Sequence, residues 1–259
     1  CIKKSLNRTM CYASRIYWWK ETVRGSRKMD WKTNGKRRLL SCLLLLALLA
    51  GVLFAGYLWR GSVQAMGKDM GDGADKKKIA LTFDDGPHPY YTEQLLDGLK
   101  ERGVKATFFV TGEHAKLHPE VIKRMSEEGH LIGNHTYSHM QLKSGNREVF
   151  KEELIKTNEI ITGITGEEVL YVRPPYGCWD KSFETELNMF PVLWTVDPLD
   201  WCSKNADGIA RKVVDKAGEN DIILMHDYYA ASVTAALKVV DELLEEGYEF
   251  VTVEEILFD

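Results

Sequence analysis

The chain has 259 residues, 44% of them hydrophobic, enough for one sizeable core and short for two. Its net charge of −4 hides an asymmetry, because residues 1–60 carry 13 Lys and Arg against 2 Asp and Glu, leaving 21 basic and 36 acidic residues beyond them. A portion at −15 repels phosphate backbones, which excludes nucleic acid as its partner.

Residues 1–38 form a basic segment ending in Lys36-Arg37-Arg38, expected to stay on the cytoplasmic side of a membrane. Within it, residues 1–28 begin with Cys and lack apolar periodicity, and read as a gene-call extension or a disordered cytoplasmic tail. The run LLSCLLLLALLAGVLFAGYLW, residues 39–59, matches the ~20 apolar residues that cross a bilayer. No face of it is polar, so it is not an amphipathic core helix. Its length favours an uncleaved anchor, N-terminus inside, over a signal segment cut after Ala65. Either way the remainder is exported. Residues 60–77 are rich in Gly and charge and read as a linker, and residues 78–259 as a single domain.

That domain alternates short apolar runs with amphipathic stretches. Strands are predicted at IALTF (79–83), ATFFV (106–110), LIGN (131–134), VLYV (169–172), PVLWTV (191–196), IILM (222–225) and FVTV (250–253). Helical patterns lie between them, at TEQLLDGLKERG, PEVIKRMSEEG, EVFKEELIKTNEIITGITG, ADGIARKVVDKAG and SVTAALKVVDELLEEG, most of them ending in Gly. Such alternation implies an α/β fold with a parallel sheet, open and doubly wound or closed into a barrel, with ligands beyond the carboxyl ends of the strands.

The polar residues that follow the strands are the informative ones. Asp84 and Asp85 follow the first, His135 the third, Arg173 the fourth, Asp197 the fifth and His226 the sixth. His135 and His139 are four apart, which on a helical turn sets both imidazoles on one face at metal-ligand spacing. Asp85 is available as a third ligand, and the mix of imidazole and carboxylate suits Zn²⁺, with Co²⁺ or another divalent ion as substitutes. Asp84 is then free to act as a base, with Arg173 to hold it ionised. His226 reads as a general acid paired with Asp197 or Asp200, beside a pocket wall of Trp201 and Leu224.

The motifs TFDDGP, HTYSH, RPPYG, DPLDW and LMHD, in this order over Lys78 to Phe258, resemble the polysaccharide deacetylases of carbohydrate esterase family 4, the NodB-homology group. The resemblance implies a distorted (β/α)7-8 barrel and removal of N-acetyl groups from β-linked N-acetylglucosamine polymers. It implies Asp84 as base, Asp85, His135 and His139 as metal ligands, and Arg173 as partner of the base. It further implies the Tyr176 backbone N–H as an oxyanion donor, His226 as acid with Asp200 as its partner, and Trp201, Leu224 and Pro175 around the substrate. Cys178 and Cys202, directly after two of these motifs, are expected on rim loops, as a disulfide or as free thiols. Peptidoglycan is the favoured polymer and chitin oligomers the next. The alternatives are an amide hydrolase acting on a non-sugar substrate, and a non-catalytic glycan-binding module.

Overall fold

The computed structural model describes residues 76–258. The basic segment, the apolar run 39–59, the cleavage site after Ala65 and nearly all of the linker lie outside the described residues. Among the described residues no helix is long and apolar enough to cross a membrane.

The elements run β1 (Lys77–Asp84), α1 (Tyr91–Arg102), β2 (Thr107–Val110), α2 (Gly112–Leu117), α3 (Pro119–Glu127), β3 (Leu131–Asn134), α4 (Arg147–Thr165) and β4 (Tyr171–Val172). Next come a 3-10 turn at Pro175–Gly177, α5 (Ser182–Leu187), β5 (Phe190–Pro191) and a second 3-10 turn at Asp200–Cys202. The chain then forms α6 (Ala206–Val214), β6 (Ile222–His226), α7 (Ala230–Glu245), β7 (Tyr248–Val251) and α8 (Val253–Phe258). All strand pairs are parallel, in the order β5-β4-β3-β2-β1-β6, with β7 on the first half of β1. β1 is buried from Ile79 onward, Phe83 stacks on Phe108 at 5.3 Å, and the apolar stripes of α1, α3, α6 and α7 close over it. α1 ends where Gly103 turns left-handed at φ 65°, a conformation that costs glycine no Cβ clash.

β4 keeps only the second half of the predicted 169–172, β5 is cut short, and the last strand is displaced toward the N-terminus. Over 191–196 only Pro191 continues the pairing of β5, because the carbonyls of Val192 and Leu193 accept from the Arg173 guanidinium instead of a neighbouring strand. The segment returns to the sheet at Val196, which bridges to Ile223 and so closes the distorted barrel against β6. The strand expected at 250–253 occupies Tyr248–Val251. The Glu255 carboxylate accepts there from Thr252 N at 3.0 Å and from Thr252 Oγ1 at 3.1 Å, and this cap starts α8. The six-residue helices α2, α5 and α8 have too few turns to show a period in sequence.

Candidate active site

The carboxyl ends of β1, β3, β4 and β6 gather most of the titratable residues singled out above. β1 delivers Asp84 in register with His226, and the chain then turns left-handed at Asp85, φ 73°, which sends the second carboxylate elsewhere. Arg173 is fully buried after β4. Its Nη1 donates to Asp84 Oδ1 at 2.8 Å and to Thr82 Oγ1 at 2.6 Å, while Nε and Nη2 donate to the Val192 and Leu193 carbonyls. The Phe109 ring lies 4.2 Å beneath the guanidinium carbon. One oxygen of Asp84 is thus committed to Arg173, and the other, Oδ2, faces His135 Nε2 at 3.8 Å.

Asp85, His135 and His139 bring one ligand atom each to within 4.8 Å of one another. Asp85 Oδ1 is 3.4 Å from Nε2 of both histidines, and it is buried without a hydrogen-bond partner. An orphaned buried carboxylate oxygen aimed between two imidazole nitrogens is what a divalent ion satisfies, so the donor set fits the expected metal. Burial would raise the Asp85 pKa, but the neighbouring imidazoles, His135 foremost, bring it down to about 2. Burial and His135 hold His139 below its usual value, which favours the neutral form that binds metal. The His135 Nδ1 lies 2.5 Å from the Arg173 carbonyl and donates to it, so the Nε2 lone pair faces Asp85.

The two histidines do not share a helical turn as the spacing suggested. Residues 135–139 form a loop with Thr136 and His139 left-handed at φ 62° and 56°. Asn134 Oδ1 accepts from Thr136 N, and Thr136 Oγ1 accepts from Met140 N, which folds the loop back on itself.

His226 Nδ1 donates to Asp200 Oδ1 at 2.8 Å, and Asp200 Oδ2 accepts from the His226 backbone N–H at 2.8 Å. Burial works against the imidazolium, but the Asp200 bond and the charges of Asp200, Asp84 and Asp85 raise its pKa to about 9. Asp197 is separate from this pair, and its carboxylate accepts from Leu199 N within its own turn. Of the substrate-side residues, Tyr176 is exposed at φ 60° with its ring 5.2 Å from His139. Pro175 and Leu224 are buried, and Trp201 stands 56% exposed next to Asp200.

A profile of the family described as polysaccharide deacetylase matches residues 71–192. A peptidoglycan-N-acetylglucosamine deacetylase of Bacillus cereus is 40% identical over 185 residues, covering 69% of this chain and 67% of that one. The peptidoglycan-N-acetylmuramic acid deacetylase PdaC of Bacillus subtilis is 40% identical over 182 residues, or 70% of this chain. The chain spans 39% of the length of PdaC. A solved structure of PdaC superposes with a TM-score of 0.68 at 40% identity, covering 71% of this chain and 91% of that structure. A chitooligosaccharide deacetylase of Rhizobium leguminosarum bv. trifolii is 40% identical over 158 residues, 60% of this chain and 74% of that one.

The chain belongs to the polysaccharide deacetylase family. The resemblance carried by the motifs holds, and with it the distorted barrel and polysaccharide N-deacetylation as the class of reaction. For Cys178 and Cys202 of this polysaccharide deacetylase the sequence left a disulfide and free thiols open. Both are free thiols in the structure. Cys178 Sγ lies 3.8 Å from the Tyr176 carbonyl and Cys202 Sγ 3.1 Å from that of Leu199.

Three residues at the deacetylase site escaped the sequence reading. Thr82 carries Arg173 on one side and donates to the Ile223 carbonyl on the other. Its signal was a hydroxyl inside an otherwise apolar strand. Asp227 is fully buried, accepts from Thr92 Oγ1 at 2.6 Å and is pushed up to about 7, chiefly by burial. It packs so closely on Gly86 that any Cβ there would strike its carboxylate. His114, at the start of α2, donates from Nδ1 to the Asp85 carbonyl at 2.7 Å and steadies the strained ligand residue. Replacing His114 with Phe is expected to weaken metal affinity by about 10–100-fold, the usual effect of losing a group that orients a ligand. Competition against a chelator measures it, and an unchanged affinity would refute the role.

Proposed function

We propose that the domain is a metal-dependent hydrolase that removes N-acetyl groups from N-acetylglucosamine residues of peptidoglycan, with chitin oligomers as the second choice of polymer. The observation that carries this reading is the convergence of an arginine-held carboxylate, an aspartate-paired histidine and a three-donor metal site at one end of one sheet. A non-sugar amide substrate shares this chemistry and is separated by substrate profiling. A non-catalytic binding module would not need an intact base, acid and ligand set.

In this reading Asp85, His135 and His139 hold the ion, with zinc the best match to two imidazoles and a carboxylate. When bound, the ion supplies Lewis acidity that lowers the pKa of a water and polarises an acetamide carbonyl. Asp84 takes the proton of the attacking water at Oδ2, since Oδ1 is held by Arg173. The Tyr176 backbone N–H is assigned to the oxyanion of the tetrahedral intermediate. His226, held through Nδ1 by Asp200, gives its Nε2 proton to the departing amine, and acetate leaves.

The raised His226 pKa fixes the sign of one limb of the pH profile. The imidazolium donates, so kcat should be sustained through neutrality and fall as pH rises through about 9. The same shift contributes stability fully present below the unfolded value of ~6.5 and lost as pH rises through about 9. Replacing Asp200 with Asn removes the main raising cause and should move the limb to lower pH; a limb that stays in place would remove His226 from the role.

Metal analysis of the purified protein, with acetate release from peptidoglycan and from chito-oligomers, tests the whole assignment. Acetate released without any bound ion would overturn the metal dependence. The apolar run 39–59 behind a basic segment supports anchoring, with the domain outside the cell. Protease shaving of intact cells tests that placement, and a fully protected domain would overturn it.

A further inference from the structure

A pocket of about 650 Å³ opens beside the catalytic histidine, between the 3-10 turn Asp200–Cys202 and the first turn of α7. Tyr91, Trp201, Tyr228 and Tyr229 wall it, and Lys204 stands at its edge. It adjoins the active site. Trp201 follows the aspartate that holds His226, and the Tyr229 ring centroid is 6.5 Å from that of His226. The inner wall is fixed, because Tyr228 stacks on His114 at 5.1 Å and meets His88 edge-on at 4.8 Å. Preorganised aromatic faces of this kind suit the C–H face of a pyranose ring.

The charge around the pocket narrows the occupant. No Asp or Glu lines it, in a portion of the chain that carries −15 overall. Lys204 is the single charged residue of the lining, and among the described residues it makes no ion pair and its amine no hydrogen bond, so its ammonium is available to a ligand. A neutral sugar would use the aromatic walls and leave this ammonium idle. A sugar carrying a carboxylate uses both.

Resting on the deacetylase reading above, we propose that this pocket is a subsite for a carboxylate-bearing sugar neighbouring the one that is deacetylated, with Lys204 pairing the carboxylate. Muramic acid, whose lactyl ether ends in a free carboxylate wherever no stem peptide is attached, is the sugar of that chemistry that alternates with N-acetylglucosamine in peptidoglycan. The subsite therefore selects an alternating anionic glycan over a neutral chito-oligomer of the same length.

The test compares kcat/KM of the full chain on N-acetylchitotetraose and on a tetrasaccharide of alternating N-acetylglucosamine and N-acetylmuramic acid. The expected result is a preference for the anionic tetrasaccharide of about fivefold, the worth of one partly exposed charge pair, shrinking with added salt. In Lys204→Gln the ratio should fall to near one, and in Lys204→Arg it should recover. A purely structural role for Lys204 would move both substrates by the same factor, and that result, or a ratio unchanged in Lys204→Gln, overturns the proposal. If neither substrate releases acetate, the deacetylase reading fails by itself, and calorimetric titration with the anionic tetrasaccharide still decides the subsite. Binding that weakens in Lys204→Gln supports it, and binding that is absent or unaffected overturns it.

Discussion

Replacing Asp84 with Asn should lower kcat by about 10²–10⁴-fold while leaving the metal content unchanged. The amide oxygen still accepts from Arg173 Nη1, now 2.8 Å from Asp84 Oδ1, so the side chain keeps its place. What it loses is the capacity to take a proton. Asp85→Asn should do the reverse, losing the ion first and activity as a consequence, because Asp85 Oδ1 is the oxygen set 3.4 Å from both imidazoles. Elemental analysis of the two variants, alongside acetate release, separates them. Loss of the ion from Asp84→Asn would mean that the two neighbouring aspartates have exchanged roles.

Arg173→Met is expected to carry the largest stability cost, about 3–5 kcal/mol in denaturant unfolding, the range for breaking a buried ion pair by removing one partner. Arg173 is 0% exposed and its guanidinium serves Asp84, Thr82 and the carbonyls of Val192 and Leu193 at once. Methionine fills the volume but leaves the Asp84 carboxylate buried without its counter-ion and the two carbonyls without donors. Lysine is a poor substitute, since one ammonium cannot reach acceptors on both sides of a planar fork. Combining Arg173→Met with Asp84→Asn should recover part of the loss, since the stranded charge is then gone. A cost under about 1 kcal/mol for Arg173→Met, the worth of an exposed pair, would show that Arg173 is not the buried counter-ion described here.

The fold was legible where periodicity is strong. The long amphipathic helices α1, α4 and α7 and the apolar strands β1, β2 and β6 stand close to where the pattern puts them. It failed where a side chain redirects the backbone. The Val192 and Leu193 carbonyls serve Arg173, a residue 19 positions or more away, and no local pattern announces that diversion. The Glu255 cap on Thr252 was readable, and the apolar run 250–253 concealed it. At the site, polar residues after strands marked Asp84, Asp85, His135, Arg173 and His226, because strand ends of a parallel sheet converge. The supporting contacts were less visible. His114 acts through a backbone carbonyl and Asp227 through packing on Gly86, and neither depends on a spacing that sequence displays.

The left-handed backbone at Asp85, Thr136, His139, Tyr176 and Leu199 has a consequence for how this sequence can drift. Each such residue costs of order 1–3 kcal/mol that glycine would not. Variants retained for folding alone would therefore move these positions toward glycine and asparagine, gaining stability while erasing a ligand here and a substrate contact there. Only selection for turnover holds an imidazole at 139 and an aspartate at 85. A library screened by thermal shift and one screened by acetate release should part company first at these five sites.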